Sequence, residues 1–189
     1  VFYYLGVMYD FVRLPAFAAT EYRRFLANRP GDHEVMVRLA KVYYQLERYD
    51  DAAALYYEIL DQDRDNRIAL GNLGIVNLAR GRDAEAQELF LRALEVSRQR
   101  GVTPPPGVYY GLGCVHERRG QADAVREYLR REMETYPSNV VLPSVALSRI
   151  AWRAGDFKEA ERLCRVVLES DPTNREAREL LKKIERSGK

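Results

Sequence analysis

Asp61, Asp63 and Asp65 alternate as the first ligands of a calcium loop do, so divalent-cation binding is the first chemistry to weigh. Such a loop turns on a glycine at its sixth position and closes with a bidentate glutamate at its twelfth. Here Asn66 and Asn72 stand at those positions, and the run reads instead as a turn whose Asn66 precedes the next helix. His33 and His116 are the only histidines and share no ligand spacing with Cys114 or Cys164, which excludes a zinc motif. Gly111-Leu112-Gly113 is a lone Gly-x-Gly inside a helical pattern, better explained by close helix packing than by a phosphate. No nucleophile–histidine–acid order or paired-carboxylate motif is present, so the expectation is no enzyme, no metal and no cofactor. Arg118, Arg119, Arg126, Arg130 and Arg131 interleave with Glu117, Asp123, Glu127, Glu132 and Glu134, as i, i+4 pairs on a solvated face do. With 30 basic and 28 acidic residues, neither half is basic enough to point to nucleic acid.

The elements behind these residues announce themselves by a period. Leu5-Gly6 returns as Leu39-Ala40, Leu73-Gly74, Leu112-Gly113 and Leu147-Ser148, at spacings of 34, 34, 39 and 35 residues. Ala18, Ala52, Ala86, Val125 and Ala160 keep step, and so do Tyr22, Tyr56, Phe90, Leu129 and Cys164. Three series on one period mean stacked helix pairs rather than one closed core. In the second unit Met36, Leu39, Ala40 and Tyr43 form one stripe at i, i+3, i+4 and i+7, and Glu47-Arg48-Tyr49-Asp50 makes the turn. Gly81, Gly120 and Gly155 close first helices, Pro15 opens a return helix, and Pro30, Pro137 and Pro172 close units. The interruption is Gly101-Val102-Thr103-Pro104-Pro105, a stiff loop after a third return helix that runs on to Arg100.

This order of Leu-Gly, Tyr, turn, Ala, aromatic and Pro resembles the tetratricopeptide repeat, in a bacterial-type member. The resemblance implies an all-α, right-handed superhelical solenoid of antiparallel helix pairs. It would form one array over 1–189, with units 1–32 (partial), 33–66, 67–100, 106–139 and 141–174 and a solvating terminal helix 175–189. Two departures fall in the fourth unit, where Val125 and Glu132 replace small residues and predict looser packing. Cys114 and Cys164, in different units, are expected to stay reduced and apart, and they do not fix the compartment. The chain opens with Val1-Phe2-Tyr3-Tyr4, already inside a helical pattern and without Met, which suggests a fragment of a longer protein. No stretch reaches the ~20 apolar residues of a membrane span, so a soluble cytoplasmic or periplasmic location is expected.

In this family the first helices line a concave face. Projecting them places Tyr3, Val7 and Asp10 inward, followed by Val37, Lys41 and Tyr44, then Ile68, Gly71, Asn72, Ile75 and Leu78. Tyr110, Cys114 and Glu117, and lastly Val145, Arg149 and Trp152, complete the set. Relatives that grip chaperone C-terminal carboxylates need Lys, Asn and Arg there. Asn72 matches, but Val37, Gly107 and Gly111 do not, which argues against such a clamp. The function implied is a non-catalytic scaffold holding a peptide segment of a protein partner in an apolar, aromatic groove. The alternative is a structural repeat protein that assembles into homo-oligomers.

Overall fold

The computed structural model describes residues 1–187, and every regular element among them is a helix. In chain order they are α1 Phe2–Phe11, α2 Pro15–Asn28, α3 His33–Gln45, α4 Tyr49–Gln62, α5 Arg67–Ala79, α6 Asp83–Gln99, α7 Val108–Arg118, α8 Ala122–Thr135, α9 Val141–Arg153, α10 Phe157–Ser170 and α11 Arg175–Ser187. The last two residues of the expected terminal helix, Gly188 and Lys189, lie outside the described residues. Among the described residues no helix is long and apolar enough to cross a membrane. The chain divides into two compact units, Val1–Val108 and Tyr109–Lys189.

In the first unit α1 pairs with α2, α3 with α4 and α5 with α6, and successive pairs meet through α2 on α3 and α4 on α5. In the second, α9 packs on α8, α10 and α11. The three sequence series explain the pairing. A Cβ on Gly6 would stand 2.6 Å from Tyr22 Cε1, one on Gly74 would stand 2.6 Å from Phe90 Cε1, and one on Gly113 would stand 2.8 Å from Leu129 Cδ2. The small residue of the first helix is therefore the seat of the large residue of the return helix. Ala18, Ala52, Ala86 and Ala160, the third series, are completely buried beside it. Close approach of this kind gives the interior its packing density, and the buried rings supply much of its apolar area.

The fourth pair departs from expectation. Val125 is buried like the alanines of its series, and the Gly113–Leu129 seat is as close as the others, so the larger side chains do not loosen it. Glu132, expected among the solvated acids, is fully buried. Its Oε2 accepts from the Tyr110 N–H at 3.3 Å and its Oε1 from Asn139 Nδ2 at 2.9 Å. The carboxylate thus serves a helix start whose amides have no partner in their own helix. Within the arginine run, Arg126 pairs with Asp123 at 2.8 Å and Arg131 with Glu127 at 2.7 Å, one helical turn apart as read.

Within each pair the turn is one device used five times. The residue at 13, 47, 81, 120 or 155 takes a left-handed backbone. The next N–H then reaches back to a carbonyl five residues earlier: Leu14 to Tyr9, Arg48 to Tyr43, Arg82 to Asn77, Gln121 to His116, and Asp156 to Ala151, at 2.8–3.0 Å. Glycine fills this slot in the last three pairs, but Arg13 and Glu47 fill it in the first two, each at φ 59°. A side chain there costs about 1–2 kcal/mol. Glu47→Gly is therefore expected to stabilise the protein by about 0.5–1 kcal/mol, after the flexibility glycine adds to the unfolded chain. Gly81→Ala should cost a similar amount; urea unfolding of the two variants checks both signs.

Side chains close the joints between pairs. Asp32 accepts from the Val35 N–H at 3.2 Å, Asn66 from Ala69 at 3.0 Å and Asn174 from Ala177 at 3.1 Å. The aspartates that resembled a calcium loop are part of such a joint. Asp63 takes the Asp65 N–H at 3.2 Å, and Asp65 takes Arg92 at 3.1 Å. The insertion after α6 begins with Gly101 at φ 61°, and the Arg67 guanidinium donates to the Thr103 carbonyl at 2.9 Å.

Candidate functional site

The first helices α3 and α5 of the first unit carry most of the residues expected to face a partner. The stripe that builds the core of α3 (Val35, Met36, Leu39, Ala40, Val42, Tyr43) leaves Val37, Lys41 and Tyr44 on the opposite side. Two adjoining hollows lie there. One, of about 530 Å³, is lined by Asp10, His33, Glu34, Val37, Arg38, Lys41, Asn66 and Ile68. The other, of about 320 Å³, is lined by Lys41, Tyr44, Gln45, Tyr56, Asn72, Ile75 and Val76. Lys41 is exposed and belongs to both.

The walls are held from behind. Asn72 Nδ2 donates to the Ile68 carbonyl at 2.9 Å, so its amide is turned back on its own helix. The Tyr44 ring leans on Tyr49, centroids 5.5 Å apart. Tyr3 Oη donates to Glu34 Oε1 at 2.8 Å, and Arg38 donates to the same oxygen from Nε at 3.2 Å and Nη2 at 3.1 Å. The Arg38 guanidinium also sits 5.6 Å over the Tyr3 ring. The Tyr3 bond, reinforced by Arg38, holds the Glu34 carboxyl below the usual range. Donation to that carboxylate raises Tyr3 above the ordinary phenol value. Three charged or polar groups are thereby neutralised locally, leaving Lys41 and Asp10 to face the hollows. Tyr3, Val7 and Val37 are half-buried and also pack against the core of the unit. Leu78 is half-buried, and Ile68 is exposed.

Gly71 is not part of an open floor. It is buried, and a Cβ there would meet Val108 Cγ2 at 3.0 Å and Pro105 Cβ at 3.5 Å, because the proline loop crosses this stretch of α5. Nothing in a 34-residue period announces an insertion's resting place.

In the second unit the expected residues are drawn into the protein's own contacts. Val145 is buried, and Tyr110 packs against the Val125–Leu129 cluster. Burial raises the Tyr110 phenol and the adjacent Cys114 thiol above their ordinary values. Cys114 and Cys164 are both free thiols. Arg149 bridges two carboxylates, from Nη2 to Glu117 Oε1 at 2.9 Å and from Nη1 to Glu176 Oε1 at 3.1 Å. One guanidinium on α9 thus ties α7 to α11, a contact the sequence conceals because neither spacing is a repeat length. Trp152 lies under Lys183, whose ammonium is 5.8 Å from the ring centroid, and its Nε1 is buried without an acceptor. A hollow of about 200 Å³ remains among Arg149, Trp152, Arg153, Glu176, Glu179, Leu180 and Lys183.

Among the described residues no group of three or more His, Cys, Asp or Glu side chains could hold a metal ion. What these surfaces offer is contact, with apolar side chains beside charged ones, a few fixed hydrogen bonds and the exposed Lys41. Comparisons with known proteins bear on the family and the fold. A family model described as "Tetratricopeptide repeat" matches residues 32–99, and one described as "Fis1 C-terminal tetratricopeptide repeat" matches residues 151–187. The chain is 25% identical over 174 residues to tetratricopeptide repeat protein 8 of Caenorhabditis elegans, covering 92% of itself and 33% of that protein. It therefore spans about a third of the length of the curated relative it matches. In fold it resembles TTC0263, a thermophilic TPR protein of Thermus thermophilus, with a TM-score of 0.78 at 18% identity over 97% of this chain and 96% of that one. It also resembles YrrB, described as a TPR protein with an unusual peptide-binding site, with a TM-score of 0.63 at 19% identity over 88% and 83%. Repeats of this kind are generally non-catalytic scaffolds that bind protein partners. With the helix pairs, their seats and these matches in hand, the chain belongs to the tetratricopeptide-repeat family.

Proposed function

We propose that the inner face of α3 and α5 holds a peptide segment of a protein partner, with apolar side chains in the two hollows and Lys41 between them. The observation that carries this reading is that both hollows share Lys41 and have Val37, Tyr44, Ile68 and Ile75 in their walls. Hollows of this size, with apolar and charged residues side by side in their lining, suit the mixed side chains of an extended or helical segment. The fold shared with YrrB, a repeat protein with a peptide-binding site, supports it. Asn72, bonded to Ile68, offers little to a terminal carboxylate, which weighs against a carboxylate clamp.

Selection from a random-peptide display library on the immobilised chain tests the reading. Tyr44→Ala and Ile75→Ala should each weaken a selected peptide by about 2 kcal/mol, or roughly thirtyfold, as truncation of a water-excluding anchor does. Lys41→Met should act mainly on the association rate. Raising salt from about 0.1 to about 0.5 M should change little, since apolar contact is not screened. Arg126→Ala and Arg130→Ala on α8 are the controls. If they abolish capture while Tyr44→Ala and Ile75→Ala leave it intact, the groove reading is wrong.

A further inference from the structure

Where α8 packs on α9, a hollow of about 300 Å³ opens beside the turns that follow α7 and α9. Both of its walls are helices of this chain, α7 and α8 on one side and α9 on the other. The repeat explains the opening. Two units earlier, in the joint of α4 on α5, Tyr44 stands in the slot of Glu117, Tyr49 in that of Ala122 and Arg80 in that of Ala154. The Tyr49 ring is half-buried there, its centroid 5.5 Å from that of Tyr44, and Arg80 crosses to Asp50 at 2.6 Å. At the later joint both of those large side chains are cut to a methyl group. Asp123, in the slot of Asp50, finds no arginine at 154 and closes on Arg126 of its own helix at 2.8 Å. Conversely, Arg126 and Arg153 take the slots of Ala53 and Ala79. The later joint thus lacks a ring where the earlier one has it, and guanidinium groups border the space.

We propose that this hollow is a docking pocket for an aromatic side chain that a partner protein carries on an acidic segment. Size is the first reason. A volume of about 300 Å³ is the low end of ligand pockets, room for one ring rather than for a helix or a cofactor. The floor is the second. Val125 is 1% exposed and Ile150 8%, and the methyl groups of Ala122 and Ala154 stand beside them. A ring laid on these side chains removes apolar area from water on both partners. The earlier joint seats a ring of this chain, Tyr49, so helices paired in this way have room for one. Charge is the third. Glu117 is answered by Arg149 at 2.9 Å, and Arg126 by Asp123. Arg153 is exposed and, among the described residues, has no hydrogen-bond or ion-pair partner. The unanswered charge of the pocket is therefore a guanidinium, a group that suits both an aromatic face and a carboxylate. A phosphodiester chain would meet that arginine too, but with Glu117 at the rim and Asp123 beside Ala122 to repel it, so protein is favoured over nucleic acid.

The pocket shares no lining residue with the hollows of α3 and α5, so each surface is tested apart from the other. The probe is the acetylated, amidated peptide Gly-Asp-Phe-Asp-Gly, added to about 5 mM because a single ring gives millimolar affinity. Methyl NMR of the isotopically labelled chain is expected to show saturable shifts at Ala122, Val125, Ile150 and Ala154. The peptide Gly-Lys-Phe-Lys-Gly should bind roughly fivefold more weakly, and Arg153→Gln should weaken the acidic peptide by about the same factor, the upper worth of one exposed ion pair. Ala122→Tyr supplies the missing ring from within, as Tyr49 does in its own joint. It should abolish the shifts at the other three residues while the helical circular dichroism stays that of the parent. No shift at these residues in the parent overturns the proposal. Equal binding of the two peptides overturns the acidic partner, and an Ala122→Tyr variant that binds like the parent overturns the choice of pocket. A thymidine tetranucleotide that shifts the same methyl groups more strongly than the acidic peptide overturns it in favour of nucleic acid.

Discussion

Gly74→Leu is expected to destabilise the protein by about 3 kcal/mol, the upper range of overpacking costs. Gly74 sits mid-helix in α5 against the completely buried ring of Phe90, and even a Cβ would stand 2.6 Å from Cε1 and 2.8 Å from Cδ1. Leucine adds three further carbons where the ring already lies. The contrast with alanine makes the test sharp. Ala40 occupies the same slot of the second pair and is itself fully buried, so a methyl group can be accommodated by a modest shift of the ring. Alanine also gains about 1 kcal/mol of helix propensity over glycine, which offsets the shift. Gly74→Ala should therefore lie within about 1 kcal/mol of the parent. Urea unfolding followed by circular dichroism measures both, and a leucine variant no worse than the alanine variant would mean that the seat of Phe90 lies elsewhere.

Glu132→Ala should cost about 3 kcal/mol, for a different reason. Two donors, the Tyr110 N–H and Asn139 Nδ2, converge on this fully buried carboxylate. Deleting it strands both in a dry interior and leaves a cavity behind. Glu132→Gln keeps the volume and one acceptor, but its amide turns a donor towards a donor, so an intermediate cost of about 1.5 kcal/mol is expected. Trp152, the only tryptophan, lies in the same compact unit, so its fluorescence during unfolding reports the loss directly. Equal stability of the alanine variant would show that the carboxylate bonds contribute nothing net.

The helices were legible because their determinants are local. The Leu-Gly pair, the alanine and the aromatic recur on one period, and each turns out to touch the next. The left-handed turn slot was legible only where glycine marks it. Arg13 and Glu47 adopt the same backbone without the residue that advertises it. What stayed hidden depends on contacts between elements of unlike spacing. Glu132 stands both in a charged run and at a slot where the repeat calls for a small residue, and what the sequence hid is the pair of donors, the Tyr110 N–H and Asn139 Nδ2, that it meets on the buried stripe of α8. Gly71 looked like groove floor until the proline loop came to rest on it. Lys41, Tyr44, Ile68 and Ile75 are placed on one side by the family resemblance together with helical periodicity. That they border two hollows joined at Lys41 depends on how α3 and α5 pack together.

The chain of neighbours, α1 to α2 to α3 and onward within each compact unit, has a kinetic side. Each contact is made with the helix just before or just after, or with the one beyond it, so the loop to be closed is always that of one hairpin or one joint. The entropy of closure is met in small instalments, and no strand must wait for a distant mate. Chains built this way fold at a speed set by their local hairpins, and lengthening them adds joints without slowing the first. A nascent pair can therefore settle on its ring-and-glycine seat while the rest of the polypeptide is still being made.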